Sequence, residues 1–298
     1  MDKHKYHDCP CCGSANIKYK LTAIDHTLSG EKFEIWECDA CTVRFTQNAP
    51  VQSAIGRYYQ SENYISHTDT KKGLINSLYH IIRKQTLRQK QQLVEKITGV
   101  KQGSLLDIGA GTGAFAAYVK AAGWQVTALE PDELTRQRAT ELYGISLQNN
   151  EQLFSLPPAS FDAITLWHVL EHVHALHEYI DQILKVLKPG GKAFIAVPNY
   201  TSYDAETYQE NWAAYDVPRH LYHFSPLAMK KLMAKHGMKV EKLLPMWYDS
   251  FYVSMLSEQY KNGKPANVSA FKSGLLSNLK AGEDYSRCSS VIYVVGLA

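Results

Sequence analysis

The rhythm of hydrophobic and polar positions changes twice along this chain. Near the N-terminus "IKYKLTAI" and "KFEIWEC" alternate apolar with polar residues and "TVRFT" follows, so three strands are expected. From Leu74 to Ile97, "LINSLYHIIRKQTLRQKQQLVEKI" repeats apolar residues at helical spacing: Leu74, Leu78, Ile81 and Ile82, then Leu87, Leu93, Val94 and Ile97. Arg83, Lys84, Arg88 and Lys90 are assigned to the opposite, solvated face of that helix. The preceding "IGRYYQSENYISHTDTKKG" is polar and tyrosine-rich and ends at Gly73.

From residue 103 the two signals alternate. Strands are expected at "SLLDIG", "QVTALE", "GISLQ", "FDAITLW", "GKAFIAVP", "MKVEKLLP" and "SSVIYVVGL", with helices around 113–122, 132–142, 174–187 and 225–236. Pro189-Gly190-Gly191 is read as ending the third of these helices and turning into the fifth strand. Apolar strands alternating with helices predict an α/β doubly wound, Rossmann-like sheet, mostly parallel and covered on both faces. Residues 245–289 interrupt the last alternation, and "WYDSFYVSMLSEQY" within them reads as an amphipathic helix. The expected organisation is a small module at 1–50, a linker and helix at 51–102, and a main domain at 103–298.

Composition changes the picture in one place. With 45% hydrophobic and 20% charged residues the chain suits a globular core, and a net charge of +3 is too small to argue for nucleic acid. No apolar run approaches a membrane span and no secretory signal opens the sequence, so a cytoplasmic protein is expected. Five of the six cysteines fall within the first 41 residues, where Cys9 with Cys12 and Cys38 with Cys41 form two C-x-x-C pairs. Two such turns can close a tetrahedral tetrathiolate around a structural zinc, and the module resembles a zinc ribbon. Cys11 is a competing ligand, and Cys288 is read as an ordinary buried thiol.

The stretch "LLDIGAGTGAF" carries two overlapping patterns. Gly109, Gly111 and Ala114 fit a dinucleotide loop, and Asp107 through Gly113 fit another ligand. Glycines let backbone approach a ligand closely, and a helix start offers free amides to an anionic group. Asp107, at the mouth of the crevice, would repel a pyrophosphate but could pair with an ammonium group. Glu130, ending the next strand before Pro131, is placed for a ribose diol.

"LLDIGAGTGAFAAYVKAAGWQVTALEPDE", "FDAITLWHVLEHV" and "ILKVLKPGGKAFIAVPN" together resemble the successive motifs of class I S-adenosylmethionine-dependent methyltransferases, over residues 100 to 245. The resemblance implies a seven-stranded sheet with a reversed final strand, a role "SSVIYVVGL" can fill. It implies that Asp107, Gly109 and Gly111, with Ala110 and Gly113 in the same loop, surround the methionine end of S-adenosylmethionine, and that Glu130 holds the ribose. In that family the loop after the third strand meets the adenine amino group; here it reads "LQNNEQLFSLP", and Asn150, Glu151 and Gln152 compete for the role.

Trp167 and His168 end the fourth strand, facing the cofactor in this fold. The Asn/Asp-Pro-Pro-aromatic run of amino-methylating nucleic-acid enzymes is missing there, which favours oxygen as the acceptor atom. His172 lies one turn further on, and "NWAAYDVPRHLYHFSP" brings Arg219, His220 and His223 before a helix capped by Ser225. This segment resembles one in uncharacterised bacterial methyltransferases that combine the same two domains. His168, His220 and His223 are the catalytic candidates. The expected activity is methylation of a small hydroxylated or sugar-containing acceptor. Three rivals are an RNA methyltransferase using Lys18, Lys20, Lys32 and Arg44 of the ribbon, a nonenzymatic cofactor-binding or scaffold protein, and a nicotinamide dehydrogenase; nucleic acid is not favoured, because acids balance those lysines.

Overall fold

A computed structural model describes residues 3–60, 74–264 and 267–298. The expected linker positions 61–73, Gly73 among them, and the side chains of Leu74, Leu78, Ile81 and Ile82 lie outside the described residues. Two antiparallel strands, β1 (Lys3–His4) and β5 (Ala49–Pro50), bracket a hairpin module. Within it β2 (Ile17–Ile24), β3 (Lys32–Cys38) and β4 (Arg44–Thr46) pair antiparallel. The long helix α1 (Leu74–Thr98) leads into the main sheet.

That sheet alternates as predicted: β6 (Ser104–Ile108), α2 (Ala114–Ala121), β7 (Gln125–Leu129), α3 (Glu133–Tyr143), β8 (Phe161–Trp167), α4 (Leu176–Val186) and β9 (Leu187–Pro198). After α5 (Tyr203–Tyr208) come β10 (Tyr222–His223), α6 (Pro226–Lys235), β11 (Met238–Pro245), α7 (Asp249–Asn262), α8 (Asn267–Glu283) and β12 (Ser290–Leu297). The strand order is β11-β12-β9-β8-β6-β7, with β12 antiparallel to both neighbours and β6 to β9 parallel. Phe161, Ala163, Ile164 and Leu166 of β8 are all buried because helices cover both faces, which is why parallel central strands read as unbroken apolar runs. The insertion at 245–289 forms the helical pair α7 and α8.

Three expectations change. The predicted strand "GISLQ" shrinks to a single parallel bridge, Leu129 with Gln148, so the regular sheet has six strands rather than seven. Gly144 ends α3 in the left-handed region and Asn149 caps a 3-10 turn at Asn150–Ser155, which leaves too few residues between them for a ladder. Pro189-Gly190-Gly191 does not end a helix and start a strand; it is an irregularity within β9, whose register against β8 shifts between Phe161 and Ala163. Finally, β10 leaves the main domain's path and joins the N-terminal sheet, pairing Tyr222 with Phe45 and His223 with Arg44.

The seam between module and domain is therefore a shared sheet with buried polar ties. Arg219, 1% exposed, donates to Asp25 at 2.9 Å, to the Tyr58 carbonyl at 2.9 Å and to Asp216 at 2.6 Å. The ribbon lysines meet acids: Lys18 with Asp39 at 2.6 Å and Lys20 with Glu37 at 3.7 Å, while Arg44 lies 2.7 Å from the same Glu37. Among the described residues no helix is long and apolar enough to cross a membrane.

Candidate functional site

The carboxyl ends of β6, β7 and β8 lie side by side, and the glycine loop rises from the first of them. Ala110 N donates to the Leu129 carbonyl at 2.8 Å, stitching the loop to β7, and Gly113 starts α2. Gly109 has φ +68°, and a Cβ there would stand 2.4 Å from Val169 Cγ2. Gly111 also has positive φ, +54°, but a Cβ there would meet nothing within 4 Å, so this is the open side of the loop. Gly109→Ala is expected to cost about 2 kcal/mol or more of stability, from overpacking added to backbone strain. Gly111→Ala should cost about 1 kcal/mol from strain alone. Urea unfolding of both variants checks the order.

Two carboxylates face this loop. Glu130 accepts from Gly111 N at 2.9 Å and Asp132 N at 3.1 Å, and burial, ahead of those bonds, raises its pKa above the ordinary value. Asp107, 1% exposed, accepts from Thr165 Oγ1 at 2.7 Å. Burial pushes its carboxyl up to about 7, against the pull of the Thr165 bond and the Lys90 charge. Pro131 turns its carbonyl to Arg136, at 2.6 Å. In the turn beyond β7, Asn150 leaves a buried Oδ1 without a partner among the described residues while its Nδ2 reaches Tyr179 Oη at 3.4 Å; Glu151 is exposed.

Lys90 was assigned to solvent by its charge, and the structure corrects this. Its ammonium sits 4.2 Å over the Trp167 ring, and burial, opposed by Asp249 and Asp107, lowers its pKa to about 8. Arg83 likewise reaches Thr112 of the loop at 3.5 Å, whereas Lys84 and Arg88 are exposed. The cue was present in the sequence: Arg83, Leu87, Lys90, Val94 and Ile97 follow one another at spacings of three and four, on the apolar face of α1.

Trp167 packs edge-on against Phe115 at 5.6 Å, and its buried indole nitrogen has no partner among the described residues. His168 follows with φ +58°, a strained conformation for a side-chain-bearing residue. It lies between two carboxylates: Nε2 to Asp249 at 2.9 Å and Nδ1 to Glu171 at 3.3 Å. Although burial opposes it, Asp249 and then Glu171 raise the imidazole to about 10, so His168 is an imidazolium at neutral pH and cannot take up a proton there. Asp249, at the start of α7, was invisible to motif reasoning because it comes from the insertion.

His220 lies beside Glu171 and His172, its ring 4.6 Å from and edge-on to that of His172. Burial and then the charge of His220 lower His172 to about 4, which keeps it neutral. His223 is set apart from them. Its Nε2 meets Thr46 Oγ1 at 3.2 Å inside the seam, its ring lies edge-on to Tyr215, and burial drives its pKa well below the ordinary histidine value.

In the N-terminal module, Cys9 and Cys41 Sγ lie 3.5 Å apart and Cys12 and Cys38 Sγ 3.6 Å apart, with all four within 4.8 Å of one another. A tetrahedral zinc with bonds of about 2.3 Å requires sulfurs about 3.8 Å apart, so the donor set fits that ion. Cys11, though buried, stands outside the four.

A family model described as a methyltransferase domain matches residues 79–243. The ubiquinone biosynthesis O-methyltransferase of Xanthomonas euvesicatoria is 28% identical over 158 residues, which span 49% of this chain and 66%, just under two thirds, of that protein. The demethylmenaquinone methyltransferase of Tropheryma whipplei is 26% identical over 172 residues, 55% of this chain and 68% of that protein. A solved structure from Galdieria sulphuraria, described as a sarcosine dimethylglycine methyltransferase, covers 72% of this chain and 87% of its own with a TM-score of 0.50. At 17% identity that likeness concerns the fold alone.

Proposed function

This chain belongs to the S-adenosylmethionine-dependent methyltransferases, and from that premise we propose that it methylates an oxygen atom of a small hydroxylated or sugar-containing metabolite. S-adenosylmethionine supplies an electrophilic methyl group on a sulfonium. The methionine end of that ligand carries an ammonium and a carboxylate on one carbon, and the crevice offers the complementary pair. Asp107 would hold the ammonium, while Lys90, whose own ammonium lies over the Trp167 ring, would hold the carboxylate. Gly109, Ala110, Gly111 and Gly113 would give the backbone its close approach, and Glu130 with Pro131 would border the ribose. Asn150 suits the adenine amino group better than Glu151, because an amino donor needs an acceptor and Asn150 Oδ1 is buried and has no partner among the described residues. Trp167 and His168 would wall the methyl-bearing side.

The observation that supports oxygen as acceptor is His172, kept neutral by burial and edge-on to the ring of His220, next to a His168 that is charged at neutral pH. A hydroxyl must lose a proton as it attacks, and an uncharged imidazole can receive it; His220 is assigned that role. His223, enclosed in the seam, would support that segment rather than touch an acceptor. Cys9, Cys12, Cys38 and Cys41 would hold a structural zinc.

Calorimetry followed by product analysis tests this reading. S-adenosylhomocysteine is expected to bind and NADH not to bind. Incubation with S-adenosylmethionine and metabolite extracts should yield small products heavier by one methyl, on oxygen. Binding of NADH alone, or methyl incorporation only into RNA, would overturn it.

A further inference from the structure

The cluster of Glu171, His172 and His220 is built as a ligand set. Glu171 is fully buried; Oε1 meets His168 Nδ1 at 3.3 Å, and Oε2 has no partner among the described residues. A buried carboxylate oxygen left unpaired is costly, and it calls for a cation or a donor. His172 Nδ1 lies 3.1 Å from the Arg219 carbonyl and His220 Nδ1 lies 2.9 Å from the Ala214 carbonyl. A carbonyl only accepts, so each Nδ1 carries a proton and Nε2 is the nitrogen of each ring that can offer a lone pair to a metal. Histidines that donate one nitrogen to a carbonyl and free the other have the form of metal ligands with their outer support in place. Tyr59 Oη, 3.1 Å from His172 Nδ1, and the His168 imidazolium on Glu171 complete that support.

One ligand atom from each of the three residues lies within 4.8 Å of the other two. Ligands bonded at about 2.1 Å sit about 3–4 Å apart, so a small inward movement closes the set. Asp216 Oδ2 also faces His220 Nε2, at 3.9 Å, but Arg219 holds that carboxylate with three contacts of 2.6 to 3.1 Å. We propose that Glu171, His172 and His220 form a second metal site, separate from the four cysteines, for a divalent transition ion, and that its open positions take the acceptor's hydroxyl. Two imidazoles and one carboxylate suit manganese, iron or zinc, and three protein ligands leave room for an exogenous oxygen. With the metal bound, His220 is a ligand and no longer the proton acceptor, and coordination would release the hydroxyl proton to water; the oxygen then forms its bond to the methyl group as the sulfur–methyl bond breaks and its electron pair stays on sulfur. The acceptor role rests on the oxygen-methylation reading, whereas metal binding does not, so either can fail alone.

Manganese(II) is the probe, because thiolates bind it poorly and the cysteine cluster will not compete. With the 298-residue chain loaded with zinc, electron paramagnetic resonance should show one equivalent of manganese leaving solution. Glu171→Gln and His220→Gln should each weaken that binding at least about tenfold, with zinc content and S-adenosylhomocysteine affinity kept as evidence of folding. Should either variant fail to fold, His172→Gln carries the same expectation. Addition of an acceptor should tighten manganese binding in the parent protein, since coupled ligands strengthen each other reciprocally. Absence of manganese uptake, or uptake unchanged in the folded variants, overturns the metal site; affinity indifferent to acceptor overturns its catalytic part.

Discussion

Asp107→Ala is expected to weaken S-adenosylhomocysteine binding about 10- to 100-fold, while zinc content stays unchanged. The size follows from removing a buried partner of a charged group, worth roughly 1.5–3 kcal/mol. The same carboxylate is unfavourable before ligand arrives. With a folded-state pKa of about 7, Asp107 holds a proton that the unfolded chain, at about 4, has released, so its contribution to stability is full below about pH 4 and is lost as pH rises to 7. The ligand-free Asp107→Asn protein should therefore melt higher than the parent at pH 8 and no higher at pH 4. Ligand affinity of the parent should fall as pH drops below 7, because an ammonium needs the ionised form. Calorimetry at pH 6 and 8 and melting curves of both proteins check the two signs; normal affinity in the alanine variant would remove Asp107 from the site.

Elements whose formation depends on local pattern were legible in the sequence. β8 and β11 run over the residues that periodicity assigned, and Ser225 caps α6 through the Ala228 amide at 3.0 Å. The reversed strand is also where the resemblance put it, at β12. What escaped depends on neighbours distant in the chain. "GISLQ" has strand composition, yet it sits between two caps and pairs through one residue. Lys90 looks like a surface charge until its place on the apolar stripe of α1 is weighed against its type, and only the fold shows Asp107 and Asp249 within reach of its charge. The candidate site likewise mixes two kinds of information. Asp107, the glycines, Glu130, Trp167 and His168 gather at the strand ends because each is local to a strand end. His220 and His223 come from one short segment, but β10 pairing turns one ring into the seam and leaves the other beside Glu171, a distinction no spacing rule contains.

The largest expected effect belongs to the cysteine cluster. Structural zinc in small modules supplies on the order of 10 kcal/mol of folding free energy, more than β2 to β4 can replace with a handful of buried side chains. Cys38→Ser, or a chelator strong enough to strip the thiolates, should therefore unfold residues 3–50 and open them to protease. The consequence should run along the seam, not into the cofactor crevice. Thr46 Oγ1 donates to the His220 carbonyl at 2.7 Å, Asp25 holds Arg219, His177 Nε2 lies 3.0 Å from the Pro10 carbonyl, and Tyr222 and His223 are strand partners of β4. Each tie restrains the 214–223 segment or α4, whereas the glycine loop is held by β7 and α1. Loss of zinc should consequently abolish methyl transfer and disorder His220 while S-adenosylhomocysteine affinity changes little. Limited proteolysis, zinc content and calorimetry on one preparation decide it: a Cys38→Ser protein that keeps its zinc and protease resistance would exclude the structural role. Equal loss of cofactor affinity and activity would place the module's support under the whole crevice instead of its acceptor side.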